Sequence, residues 1–323
     1  MCAVFLSQQT YFRVGFFERK KTVLRAFYSD HFVLPLPPGH RFPMVKYRMI
    51  REGAARGVPD LEFHEAVAAS DGMLALAHHP TYVELVSNGQ LSDHAQKEIG
   101  FPWSPEMVER SRRSAGATIA ACRSAMEQGV AVNLAGGTHH AYADHGAGFC
   151  VFNDAAVASR LMQAERRVSR VAVVDLDVHQ GNGTASILAN DDSVFTLSLH
   201  GERNYPFEKE QSDLDVALPD GVTDVEYLSA LQDALAQLMQ RFDPQLIIYL
   251  AGADPHEGDR LGRMKLSLAG LAERDRMVFE LGRQQKIPIA VTMAGGYGKN
   301  IEDTVAVHIQ TITLASQYAA DWR

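Results

Sequence analysis

The run Asp175-Leu176-Asp177-Val178-His179-Gln180-Gly181-Asn182-Gly183 is where this sequence shows its chemistry. The apolar stretch before it, residues 170–174, reads as a buried parallel strand ending in a glycine-bearing turn. Asp177 and His179 are two residues apart, so at strand spacing their side chains leave on one face. A carboxylate and an imidazole side by side at the carboxyl end of a buried strand make half of a metal site. Ligand sites in open α/β sheets lie at that end. Taken alone, the same residues also suit the caps and turns that close a strand.

Three more polar clusters follow apolar runs in the same way: Gly136-Gly137-Thr138-His139-His140, Ala251-Gly252-Ala253-Asp254 and Ala294-Gly295-Gly296-Tyr297-Gly298. Catalytic zinc takes three protein ligands and leaves a position open, and Asp177, His179 and Asp254 would supply two carboxylates and one imidazole. Such an ion is a Lewis acid toward a carbonyl and acidifies its water. Asp254, followed by Pro255, would otherwise serve as a cap or turn residue. Adjacent histidines in a strand point to opposite faces, but after Gly136-Gly137 the backbone is free to turn His139 and His140 into one pocket as acid and base. His78-His79 has no glycine turn and no strand before it, so it is expected to face solvent. Asp175 and Asn182 suit the task of orienting the two imidazoles, a carboxylate favouring the charged form and an amide adding no charge. Tyr297 can donate its hydroxyl to a developing oxyanion, and Phe149, in a glycine-rich loop, can wall a narrow channel or fill the core.

The elements that must position these residues alternate. A candidate edge strand (24–33) and helical patterns at 44–55 and 82–86 come first. A long helix then opens on Ser104-Pro105, a cap with proline at the first turn, runs to Gln128 and is ended by Gly129. Strands are predicted at 131–134, 170–176, 194–199, 245–251 and 288–293, and helices at 153–166, 224–241, 273–284 and 303–318. Strands alternating with helices imply a mostly parallel sheet covered on both faces. All four clusters then fall at one edge of that sheet, as an active-site rim. No composition break marks a second domain, so one is expected.

Composition narrows the class. The 323 residues are 46% hydrophobic and 22% charged, ordinary for a globular protein. A net charge of −8 argues against a sequence-independent grip on nucleic acid. Cys2, Cys122 and Cys150 have neither disulfide-framework nor zinc-cluster spacing and are expected to be reduced. No apolar run reaches membrane-helix length, and residues 1–6 lack the basic region of a signal peptide, so a cytoplasmic location with no membrane partner is expected.

The motifs His139-His140, Gly148-Phe149-Cys150-Val151-Phe152-Asn153-Asp154, Asp175 to Gly183, Gly258-Asp259-Arg260-Leu261-Gly262 and Gly295-Gly296-Tyr297 together resemble the zinc-dependent histone deacetylase superfamily in order and spacing. Gly252-Ala253-Asp254-Pro255 and Asn204-Tyr205-Pro206-Phe207 are most similar to its class IV branch and bacterial relatives. The resemblance covers roughly residues 25–318. It implies an α/β, single-domain arginase/deacetylase fold with a central eight-stranded parallel sheet and helices on both faces. Residues 25–323 would form the catalytic domain, with 1–24 an N-terminal extension of uncertain order. It implies zinc on Asp177, His179 and Asp254. Catalytic roles fall to His139 paired with Asp175, to His140 as general base beside Asn182, and to Tyr297 as the carbonyl-polarising group. In the substrate channel, Gly148 would offer its carbonyl to the substrate amide, Phe149 one wall, and Tyr205, or in its place Phe207, the other. Asp175, Asp177, His179, Ser198 and Leu199 match a monovalent-cation site that holds potassium as a structural ion.

Two departures stand out. Class I members carry Asp where Asn182 stands, so His140 should be less basic here. Many members hold the substrate backbone with a loop Asp, which Ile99-Gly100-Phe101-Pro102-Trp103 lacks, with Glu98 only nearby. The expected activity is hydrolysis of N-ε-acyl-lysine in proteins. The rival is a small acylated amine such as an acetylpolyamine, which would call for an acidic gatekeeper among Glu202, Glu208 and Glu257. A two-metal hydrolase would need extra ligands where Gln180 and Pro255 stand. A catalytically dead acyl-lysine reader would lack a zinc ligand or the tyrosine, and none is missing.

Overall fold

The structure, a computed structural model, describes residues 23–322. Its framework is one sheet of eight strands: β1 (Leu24–Tyr28), β2 (Leu61–Glu65), β3 (Val130–Asn133), β4 (Val171–Asp175), β5 (Val194–Gly201), β6 (Leu214–Leu218), β7 (Leu246–Leu250) and β8 (Ile289–Thr292). Their order is β2-β1-β3-β8-β7-β4-β5-β6, and every pairing is parallel. The expected eight-stranded parallel sheet is therefore present. Parallel pairing needs crossover connections, which put helices on both faces and leave the central strands no solvent side. Accordingly, every residue of β3, β4, β7 and β8 is buried.

The strand residues divide by pleat between two cores. Val132, Val174, Ile247 and Val291 pack on one side with α1 (Val45–Gly57), α8 (Asp224–Arg241), α9 (Leu268–Gln285) and α10 (Ile301–Asp321). Ala131, Val173, Ile248 and Ala290 pack on the other with α3 (Pro80–Asn88), α5 (Pro105–Gln128) and α6 (Asp154–Ala164). Three short helices, α2 (Asp71–Leu74), α4 (Asp93–Ile99) and α7 (Asn182–Leu188), complete the elements among the described residues. The long helix α5 begins as expected, Ser104 accepting from the Met107 amide at 3.1 Å with Pro105 in the first turn.

Several expectations change. The segment at 24–33 is not an edge strand: β1 lies between β2 and β3, and β2 is the edge. The edge strands β2 and β6 escaped the sequence reading because half-exposed edges carry charge (Leu-Glu-Phe-His-Glu, Leu-Asp-Val-Ala-Leu) and are short. Leu24, where the candidate strand begins in the sequence reading, is the first residue of β1, while residues 1–22 and Cys2 lie outside the described residues. Cys122 and Cys150 are buried free thiols, and no helix among the described residues is long and apolar enough to cross a membrane.

Candidate active site

The loops after β3, β4, β7 and β8 meet at the carboxyl edge of the sheet, and the sequence-predicted residues meet with them. Strand β4 ends at Asp175, so strand spacing is not what aligns Asp177 with His179, as the sequence reading had it. The chain turns there. Asp177 Oδ1 accepts from both the backbone amide and Nδ1 of His179 at 2.9 Å, while its Oδ2 accepts from the Gly295 amide at 2.8 Å. Asp254 Oδ1 accepts from the Val178 amide at 2.9 Å. Its Oδ2 lies 3.3 Å from His179 Nδ1 but is buried with no hydrogen-bond partner. Ligand atoms of Asp177, His179 and Asp254 all fall within 4.8 Å of one another, and all three residues are buried. Gly295 permits this closeness, since a Cβ there would lie 2.0 Å from Asp254 Oδ2 and 2.5 Å from Asp177 Oδ2.

The triad buries more negative charge than it neutralises. Asp177 is held well below the usual carboxylate range; burial opposes this, and His139 and His179 outweigh it. Burial, then the charge of Asp177, raises Asp254 to about 7. Burial works against a charged His179, yet the two carboxylates lift it to about 10. A concave, buried group of two carboxylates and one imidazole, with one carboxylate oxygen orphaned, fits a divalent cation such as zinc. A buried network stiffens the strand ends beneath it. Arg274 pairs with Asp275 at 2.7 Å, both fully buried, and donates to the Gly252 carbonyl at 2.5 Å, while Tyr249 and Thr311 satisfy Asp275.

Both histidines turn into the same cavity, as the glycines before them allow, with ring centroids 4.1 Å apart. Their partners differ. His139 Nδ1 faces Asp175 Oδ2 at 2.6 Å, and His140 Nδ1 faces Asn182 Oδ1 at 2.6 Å. Burial opposes charge on His139, but Asp175 and Asp177 raise it to about 9. Burial and the neighbouring His139 and His179 push His140 well below the ordinary histidine value. One imidazole is thus built to carry a proton and its neighbour to be neutral and accept one. The sequence reading missed the group behind Asn182: its Nδ2 donates to Tyr142 Oη at 3.0 Å, and Tyr142 donates to Glu210 at 3.1 Å. Nor did it assign a role to Asn153, the N-cap of α6, or to Asp154, its first residue. Asp154 accepts from the Gly137 and Thr138 amides, and Asn153 donates to the Ala141 carbonyl, so they fix the histidine loop.

Tyr297 lines the cavity and is 9% exposed. Its amide donates to Asp259 Oδ2 at 2.6 Å, and Arg260 Nε donates to its carbonyl at 2.9 Å. The buried Lys46 ammonium, another residue without a sequence signal, donates to the Ala294 and Gly296 carbonyls and sits 5.6 Å from the Tyr297 ring centre. Burial first, then Tyr47 and other neighbours, raises the Tyr297 phenol well above its ordinary value, so it stays a donor.

The cavity measures about 480 Å³ and is lined by Gly148, Phe149, Tyr205 and Phe207 as well as the groups above. Tyr205 stands edge-on to His140 at 4.8 Å, whereas Phe207 is 83% exposed, so Tyr205 is the inner wall of the two. Register pairs Asp175 with Ser198, and Ser198 Oγ meets His200 Nδ1 at 3.0 Å; Leu199 follows, fully buried. His78 corrects the expectation of solvent-facing histidines. It is buried, receives the Asn153 amide on Nε2 at 2.8 Å, sits 2.9 Å from the Tyr142 carbonyl, and burial lowers it to about 4. His79 caps α3, accepting from the Thr81 amide. Gln180 turns away to Glu210 and Asp215, so it adds no ligand to the triad.

Comparison with known proteins bears on the family and the fold. The family model described as the histone deacetylase domain matches residues 40–312. Histone deacetylase 2 of Arabidopsis thaliana is 38% identical over 205 residues, 62% of this chain and 53% of that protein, so the match spans about half of that relative. The histone deacetylase-like amidohydrolase of Pseudomonas aeruginosa is 33% identical over 256 residues, covering 74% of this chain and 67% of that one. The crystal structure of an HDAC homolog from Aquifex aeolicus superposes with a TM-score of 0.79 at 22% identity, covering 91% of this chain and 84% of the other, a likeness of fold.

Proposed function

The chain belongs to the histone deacetylase family, and from that premise we propose that it is a zinc-dependent hydrolase of N-acyl amines whose substrate is N-ε-acyl-lysine in proteins. One observation carries the reading. A buried Asp177-His179-Asp254 group with an orphaned carboxylate oxygen shares a cavity with two adjacent imidazoles of opposite proton affinity and a protonated tyrosine.

Zinc held by Asp177, His179 and Asp254 would supply Lewis acidity toward the acyl carbonyl and its attacking water. The rest is the work of this chain's residues. Gly148 offers its carbonyl to the substrate amide N–H, while Phe149 and Tyr205 enclose the lysine stem and exclude water. His140, kept neutral beside the Asn182 amide oxygen, takes the proton of the attacking water at its free nitrogen. Tyr297 donates to the oxygen that gains charge as the carbonyl carbon becomes tetrahedral. The leaving amine takes that proton from His140, and Asp175 keeps His139 oriented and charged throughout. Potassium at Asp175, Asp177, His179, Ser198 and Leu199 belongs to the same proposal, supported only by the register that brings β4 and β5 together there. Residues 25–323 as one catalytic domain, the class IV affinity and a cytoplasmic location are proposed on the same footing.

The small-amine alternative calls for acid at the mouth. Glu202, Glu208 and Glu257 do not line the cavity, and Glu98 does. The test is kcat/KM for acyl-lysine peptides against acetylpolyamines. Turnover of the peptides with the polyamines inert supports the proposal, and the reverse order refutes it.

A further inference from the structure

The mouth of the cavity is basic on a protein whose net charge is −8. Arg41 before α1, Lys97 in α4, Arg203 in the β5–β6 loop and Arg263 in the β7–α9 loop all line it, and all four are exposed. Arg263 lies 3.3 Å from Asp220. The side chains of Arg41, Lys97 and Arg203 have no ion pair or hydrogen bond among the described residues. Glu98 is the exposed acid on the same lining, and it is itself 3.7 Å from His94. Three unanswered cations against one shared anion leave the entrance positive, and a concave, low-dielectric wall concentrates that field.

We infer that the substrate is an acyl-lysine carried in an acidic segment of a polypeptide. This rests on the deacylase reading and narrows it. The reasoning is one of reach and sign. An acyl-lysine inserted to the depth of His140 leaves its backbone at the mouth, with the residues before and after it over the rim. The four cations come from four separate segments of the lining, so a chain lying across the opening has several of them to meet. A small amine that enters whole meets few of them. A polyamine, or a lysine flanked by lysines and arginines, brings like charge to this rim, whereas aspartates and glutamates there find partners. Tyr205 and Phe207, 37% and 83% exposed and 6.4 Å apart, add an apolar shelf beside Arg203 for the flanking chain.

The experiment uses the full chain with zinc and three acetyl-lysine peptides of one length, flanked by Asp/Glu, by Ser/Gly or by Lys/Arg, together with N-acetylspermidine. Rates are read at about 50 mM and about 500 mM NaCl, where screening lengths differ roughly threefold. The expected order of kcat/KM is acidic, then neutral, then basic, with about tenfold between the extremes at low salt, carried mainly by KM and shrinking at high salt. Charge reversal in R41E, K97E and R203E, singly and together, should narrow and then invert the ratio of acidic to basic peptide within each variant. The single variants keep the test alive if the triple one fails to fold. Equal rates for all flanks, a basic preference, or a ratio unmoved by every reversal overturns the inference while the acyl-lysine reading stands. Superior turnover of N-acetylspermidine overturns the inference and the acyl-lysine reading together. No turnover of any acyl compound overturns both.

Discussion

Gly148→Ala is a one-carbon test of how tightly the channel holds His140. Gly148 has φ +54°, and a Cβ built there lies 2.7 Å from His140 Cδ2, 3.1 Å from its Cγ and 3.2 Å from Tyr205 Cε1. Carbon atoms pack best at about 3.5–4.0 Å, so one partner must retreat by about 1 Å. The loop is the firmer side, because the Gly148 amide donates to the Glu98 carbonyl at 3.1 Å and the Phe149 amide to the Ile99 carbonyl at 2.8 Å. The imidazole therefore gives way, which stretches its 2.6 Å contact with Asn182. A displacement of about 1 Å in a reacting group costs roughly 10²-fold in rate. The left-handed backbone adds about 1–2 kcal/mol of instability. Gly221→Ala separates the two effects: Gly221 has φ +80° with nothing near its Cβ position, so it carries the backbone cost alone. The assay is kcat on an acetyl-lysine peptide, with zinc content and denaturant unfolding measured on both variants. Comparable destabilisation of the two, with about 10²-fold loss of kcat and full zinc content in Gly148→Ala only, is the expected result. Near-full kcat in Gly148→Ala would refute the reasoning.

Three further outcomes follow from the same geometry. His78 is lowered from 6.5 to about 4 by burial, so the unfolded chain binds the extra proton first. The stability it contributes is intact above pH 6.5 and falls as pH drops toward about 4, by about 3 kcal/mol in all; urea unfolding across that window should be flatter for His78→Gln. Tyr297→Phe keeps the ring and the amide bond to Asp259, so kcat should fall about 10²–10³-fold with zinc content and melting temperature unchanged; a near-native kcat would show that Tyr297 is not the oxyanion donor. Tyr142→Phe removes the hydroxyl behind Asn182, so kcat should fall roughly 3–10-fold at constant KM; a change in KM alone would assign Tyr142 to substrate contact instead.

What could be read in the sequence was what the chain keeps close along its own length. His139 and His140 are neighbours after two glycines, and Asp175, Asp177, His179 and Asn182 lie within one strand-to-helix turn, so residue type and spacing located them together. The central strands were legible because burial on both faces writes itself as apolar runs such as Val-Ala-Val-Val and Leu-Ile-Ile-Tyr-Leu. Groups that act across long separations were not. Lys46 meets the Ala294 carbonyl 248 residues away, Tyr142 meets Glu210 68 residues away, and nothing local marks either one. His78 was misjudged for the same reason, since the Asn153 amide that claims it lies 75 residues on. The basic rim was equally hidden: its cations are spread over four segments of an acidic chain and become a group only when the loops converge.

The central claim is that Asp177, His179 and Asp254 hold the zinc on which turnover depends. The direct test is metal titration of chelator-treated protein, with bound zinc and acetyl-lysine hydrolysis measured on the same samples, beside Asp254→Ala. The account predicts that activity returns in proportion to zinc and saturates at about one ion per chain, while Asp254→Ala neither binds nor turns over. Full activity without added metal, or saturation at two ions per chain, would contradict it.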